Sequence, residues 1–141
     1  MFEQGFNSLL ATSPGVMAQL GGSPFAREDR QTGVWPVQVP EEAALPNIAF
    51  SIVGRQSVNS VQGTSRLVMK RVQVNSRGRH YADAKNLQEA VKRCVLGFRG
   101  TLSDGTRVFG ALLNSELDAF EDGPFLFCGV LDFDVWTINQ S

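Results

Sequence analysis

Histidine is nearly missing from this chain of 141 residues. There is one, His80, so neither a Ser-His-Asp nor a Cys-His arrangement can be assembled around it with any support. Cysteine is scarce too. Cys94 and Cys128 stand far apart in the chain, and with a single histidine they do not make a zinc site. Both fall within apolar segments and read as small buried hydrophobes, with a disulfide as the lesser alternative. No glycine-rich phosphate loop occurs, because Gly21-Gly22 ends a helical segment instead of opening one. No apolar run approaches the ~18 residues of a membrane-spanning helix. The opening Met1-Phe2-Glu3-Gln4-Gly5 lacks the basic and apolar regions of a signal peptide, so the expectation is a soluble protein made in a reducing compartment. Charge of one sign is absent as well. Thirteen basic and fourteen acidic residues leave a net charge of −1, which removes broad attraction to nucleic acid or an anionic membrane.

What is present is an ordinary globular composition, 43% apolar and 19% charged, without low-complexity segments. One domain spanning residues 1–141 is expected. A domain of this size buries roughly 68–70% of its unfolded surface, enough for a core without staples. Ten phenylalanines against one tyrosine point to aromatics used for packing.

The chain is organised around Arg66–Phe98. Arg66 to Val74 reads as a strand, with Val68, Val72 and Val74 on one side of the pleat. Ser76-Arg77-Gly78-Arg79 breaks the run. Tyr81, Ala84, Leu87, Val91, Cys94, Val95 and Phe98 then recur at helical spacing, with Asp83, Lys85, Gln88, Glu89, Lys92 and Arg93 mostly off that stripe. Such a helix must cover a sheet. Phe2 to Ala11 reads as a first helix with Phe2, Phe6, Leu9 and Leu10 on one face, weakened at Gly5. Ser13 and Pro14 restart a short segment through Leu20.

Ser23–Gln38 reads as a loop with a short edge strand at Val34–Val37, since Pro36 forbids a central one. Asn47–Ser57 is a strand, and with Arg66–Val74 it makes a long antiparallel hairpin with a polar tip at Arg55–Ser65. Leu102–Thr106 contains an Asp-Gly turn, Val108 begins a strand that runs to Leu117, and Asp118–Pro124 reads as an acidic turn. Phe125–Ile138 is the strongest strand, with Phe125, Phe127, Leu131, Phe133 and Val135 on one face. The fold class is α+β: a largely antiparallel sheet of about four to five strands, with one main helix and an N-terminal helix packed on one face.

No catalytic or metal-binding constellation and no cofactor site emerges. Asp132 and Asp134 share a strand face, and with Asp118 they make the one conceivable carboxylate or cation site. An exposed acidic face is the simpler reading. Function through the surface is therefore expected. The polar tip supplies Arg55, Gln56, Asn59 and Gln62 as interface candidates, and the loop before it supplies the aromatics Phe25 and Trp35.

The order of motifs resembles that of the tail-completion proteins of long-tailed bacteriophages, also called tail terminators or head-tail joining proteins. The likeness rests on Leu9-Leu10 followed by Ser13-Pro14-Gly15-Val16, on Leu45-Pro46-Asn47-Ile48-Ala49-Phe50, and on Val72-Gln73-Val74. It continues with Tyr81-Ala82-Asp83-Ala84 before Leu87 and Val91, and ends with Asp132-Phe133-Asp134-Val135-Trp136. It spans nearly the whole chain. The resemblance implies a structural virion protein and not an enzyme. In that family, α/β subunits close into a hexameric ring at the head-proximal end of the tail tube, ending tube polymerisation and meeting the head connector. The implied partners are copies of the chain, the tail tube protein and the connector, with DNA passing through without specific binding. A neck adaptor is the alternative within such an assembly, and a small metal- or carboxylate-dependent enzyme the alternative outside it.

Overall fold

The computed structural model describes residues 2–20, 34–36, 45–60, 63–121 and 126–138. Their order is α1 (Phe2–Thr12), α2 (Pro14–Gln19), β1 (Val34–Pro36), β2 (Asn47–Ser60), β3 (Gly63–Gly78), α3 (Tyr81–Leu96), β4 (Gly100–Thr101), β5 (Arg107–Glu121) and β6 (Leu126–Ile138). Among the described residues the strands form one sheet in the order β1-β2-β3-β6-β5-β4. Every neighbouring pair is antiparallel except β1–β2. The α+β class expected from sequence is the one observed. The strand missing from that expectation is the two-residue β4.

Alternation decides which side of the sheet is dry. Ile48, Phe50 and Ile52 of β2 pair with Ser76, Val74 and Val72 of β3. These stand opposite Gly129, Leu131 and Phe133 of β6. Cross-strand partners share a face, so these residues make one continuous floor. Onto it α3 lays Leu87, Val91 and Val95, and α1 lays Phe2, Phe6 and Leu10, all buried. The Phe6 ring meets Phe50 edge-on with centroids 5.1 Å apart, and Phe2 stacks on Phe6 at 5.7 Å. Lys70 caps this cluster, its ammonium 4.3 Å from the centre of the Phe2 ring. Ser13 stands at the N-cap of α2 and Pro14 at its first turn, but the Ser13 side chain makes no capping bond.

Gly5 has a purpose that its helix propensity hides. A Cβ there would come within 2.8 Å of Leu102 Cβ and closer still to the Asp104 carboxylate. Its absence lets α1 settle against the β4–β5 turn. That turn is the expected Asp104-Gly105, held by Thr106, whose backbone N–H and hydroxyl donate to the Asp104 carboxylate at 3.1 and 2.7 Å.

Four expectations need correction. The hairpin arms remain paired out to Ser60 opposite Gly63, so Arg55–Ser65 is mostly ladder, not a loose tip. β3 runs through Ser76 and Arg77 to Gly78, because both flanks continue to pair with it. β5 extends through Asp118 to Glu121, so the expected acidic turn begins as strand. On α3, Gln88 is fully buried while Tyr81 is half exposed. Gln88 lies over Gly129, whose missing side chain makes room for the amide. Tyr81 sits at the helix start, edge-on to Phe127.

Candidate assembly surface

The carboxylates do not converge. Asp118 faces Gly129 across the β5–β6 ladder, and Asp132 is three residues further along β6. An odd step along an unbroken strand reverses the face, so Asp118 lies on the helix side and Asp132 and Asp134 on the other. Asp118 accepts from Lys85 Nζ at 3.0 Å and from the Tyr81 hydroxyl at 3.1 Å. The hydrogen bond from Lys85 holds the Asp118 carboxyl below its ordinary range, and the same bond raises the Lys85 ammonium. Two turns further on, Lys92 bonds Glu89 at 3.0 Å and Glu116 at 3.2 Å, which raises it as well. These pairs tie α3 to β5. On the other face, Asp132 accepts from the Ser115 hydroxyl at 2.8 Å, and Asp134 accepts from Asn114 at 3.1 Å and Arg71 at 3.4 Å. Among the described residues no group of three or more His, Cys, Asp or Glu could hold a metal ion.

Cys94 is not an activated nucleophile. Both cysteines are free; Cys128 is buried and Cys94 half-buried. Burial pushes the Cys94 thiol up, against a smaller opposing pull from Ser13, and the thiol points at the Leu9 carbonyl 3.8 Å away. His80 is the N-cap residue of α3, and its side chain makes no capping bond.

What remains is a surface of two parts. The first is the face of the sheet opposite the helices, which no described helix covers. Its rows read directly from the register. Ser51, Gln73, Asp132 and Ser115 form one row; Ala49, Asn75, Val130 and Leu117 form the next. Asn75 Oδ1 and Asp132 Oδ1 are shielded from solvent and accept no hydrogen bond. A mixed polar and apolar face of this kind suits contact with another protein better than capture of a small molecule.

The second part is the rim. β4 pairs with β5 only at Arg107 and Val108. Beyond that point no described strand lies outside β5, and every residue from Asn114 to Phe120 is exposed. Phe109, Leu112, Leu117 and Phe120 are all large exposed apolar side chains on this one strand, Leu112 and Leu117 more than 60% so. At the other rim β1 pairs with β2 only from Ile48 to Phe50.

Of the interface residues expected from sequence, Arg55, Gln56 and Asn59 lie in the half of β2 that β1 does not cover. Trp35 is on β1 beside Ala49, hence on the helix-free face, half-buried, with its indole N–H shielded and unbonded. Phe25 and Gln62 lie outside the described residues. β5 was missed as an interface candidate. Its signal was the recurrence of large apolar residues, Leu112, Leu117 and Phe120, in a polar stretch beyond the point where helix stripe and strand pattern already account for the core.

No protein-family model matches the sequence, and no curated protein matches it either. The structure is similar to a chain from the virion of a native gene transfer agent particle. The TM-score is 0.72 at 16% identity, over 94% of this chain and 90% of that one. That likeness shows a shared fold over nearly the full length of both. Two chains from Akkermansia muciniphila, one solved without its transmembrane region, align at TM-scores of 0.34 and 0.37. Their identities are 8% and 7%, over 64% and 67% of this chain and 46% and 43% of theirs, too weak to support an argument.

Proposed function

We propose that this chain is a structural virion protein. It is the subunit of a ring at the head-proximal end of a phage tail tube, where it ends tube polymerisation and joins the tail to the head connector. The observation that carries the reading is the full-length fold similarity to a chain of a gene transfer agent virion. The order of sequence motifs supports the more specific role, since it resembles that of tail-completion proteins along the same length. The surfaces agree with it: a sheet face that no described helix covers and two rims that the described strands cover only in part offer contacts to several neighbours at once. A near-neutral chain also suits a channel that DNA must traverse, because each phosphate neutralised by a basic lumen would add affinity. The partners are copies of the chain in a hexameric ring, the tail tube protein and the connector, all within the virion. The enzyme alternative loses its geometry, because Asp118 is on the opposite side of the sheet from Asp132 and Asp134.

Electron microscopy of particles assembled without this gene tests the reading. Overlong or unjoined tails beside filled heads are expected. Headless tails of normal length would instead assign the chain to the neck as an adaptor, and normal infectious particles would overturn both structural roles. Shortening the outer hairpin arms between Gln56 and Ser65 is expected to leave a folded protein that no longer assembles.

A further inference from the structure

We propose that copies of this chain join head to tail by continuing the sheet, the outer edge of β5 at Gly110–Ala119 pairing antiparallel with the outer edge of β2 at Ser51–Ser60 of the next copy. The closure of this contact into a ring rests on the function proposed above; the pairing itself does not.

Three observations carry it. First, both runs are strand, equal in length, and unaccompanied on their outer side by any described strand. An uncovered edge presents a row of backbone donors and acceptors ready to pair with another chain. The β5 edge is lightly protected: it carries Glu116 and Asp118 and a register shift between Leu113 and Ser115 but no lysine or proline, and the β2 run has shifts between Ile52 and Gly54 and between Ser57 and Asn59. From Ser115 to Ala119 its ladder to β6 is free of bulges, and Leu112 and Leu117 stand exposed beside it, as Val53 does beside β2.

Second, the strand directions match. β2 and β6 run one way, β3 and β5 the other. A sheet repeated by rotation therefore sets β5 of one copy antiparallel to β2 of the next, the arrangement with the closely spaced hydrogen-bond pairs. The contact uses two different patches, so it is heterologous and generates rings or filaments instead of closed dimers.

Third, charge selects β2 over a second β5. The β5 run holds Glu116 and Asp118 and no base, whereas the β2 run holds Arg55 and no acid. Pairing β5 with itself antiparallel around Leu117 or Asp118 sets carboxylates opposite or diagonal to one another, a repulsion that Lys85 and Lys92 soften but do not reverse.

The test is sedimentation velocity with amide hydrogen exchange on the full chain over a range of concentrations. Association that rises with concentration is expected, together with at least tenfold slower exchange (about 1.4 kcal/mol) at alternate, outward-facing amides of both Gly110–Ala119 and Ser51–Ser60. Association with protection elsewhere, or along one run only, overturns the edge pairing and leaves the ring reading to the gene-removal experiment. A chain that stays monomeric at its highest soluble concentration overturns the pairing as well. Leu117→Pro and Asp118→Pro supply a second measurement. Adjacent residues aim their N–H groups to opposite sides, so one of the two prolines removes an outward N–H that the monomer does not use. That variant is expected to stay folded, losing only the small Lys85 tie if it is Asp118→Pro, and to lose association; a folded variant that associates like wild type refutes the proposal.

Discussion

Replacing Gly129 by alanine probes how α3 is seated on the sheet. The added methyl would stand 2.7 Å from Gln88 Cδ, 2.9 Å from Nε2 and 3.0 Å from Oε1. Those distances are well inside contact, so the amide must move. Gln88 has no solvent exposure, its Oε1 accepts from Lys85 Nζ at 3.1 Å, and its Nε2 has no acceptor. Displacing it costs packing and the Lys85 bond. Overpacking of this kind destabilises by about 1–3 kcal/mol, which for a chain of this length lowers the melting temperature by roughly 3–10 °C. Removing the obstruction should restore the loss. Gln88→Ala leaves a small cavity but also removes a buried donor that has no partner, a group whose burial costs about 1–3 kcal/mol. In the Gly129→Ala background it is therefore expected to recover stability, with a coupling of about 1–2 kcal/mol across the cycle. Urea unfolding followed by the fluorescence of Trp35 and Trp136 measures all four proteins. A Gly129→Ala protein within 0.5 kcal/mol of wild type, or a double mutant that is simply additive, would refute the claim that Gln88 is held against Gly129.

Phe6→Ala empties the centre of the aromatic cluster between α1 and β2 and is expected to cost about 3–5 kcal/mol, read by the same unfolding assay. Asp132→Asn combined with Asp134→Asn should leave the fold intact and change assembly at most, since Asp134 meets Arg71 only at an exposed 3.4 Å contact; a loss of turnover in any hydrolase screen would revive the enzyme reading. The Lys85–Asp118 tie sets a pH window. Asp118 is lowered on folding, so its contribution is present above the unfolded carboxylate value and disappears as pH falls through the lowered one. Lys85 is raised, so its contribution is present below its ordinary value and disappears as pH climbs through the raised one. Both groups are solvent-exposed, so the effect is small and salt-sensitive. Asp118→Asn is expected to flatten the acid limb of the stability curve at low ionic strength, and an unchanged limb would discount the tie.

The buried parts of this fold were legible because burial writes a period into the sequence. The α3 stripe of Ala84, Leu87, Val91 and Val95 and the β6 face of Leu131, Phe133 and Val135 emerge as read. The strand ends were not legible for the converse reason. Val58–Ser60, Ser76–Gly78 and Asp118–Glu121 are held in strand by the neighbours they pair with. Their composition is that of loops, because their side chains are not what keeps them extended. Gln88 is a different failure. A glutamine among Asp83, Lys85 and Glu89 reads as solvated, and only the register that sets Gly129 beneath it reveals the space it fills. The same limit concealed the β5 rim. Leu112 and Leu117 look like core until the sheet order leaves them on its outside.

In polymer terms, the edge pairing proposed above would give this chain, along the rims that no described strand covers, a functionality of two with unlike ends. Such a monomer grows by addition or cyclises, and its fate is set by the bend stored in each link and not by the strength of the bond. A copy with one rim blocked has a functionality of one and is a chain stopper. It can be added at the end of a growing row but cannot be added to, so a minority of blocked copies would abolish closed rings while most of the material remained wild type. On the edge pairing proposed above, the β5 and β2 rims would make defective copies dominant over sound ones.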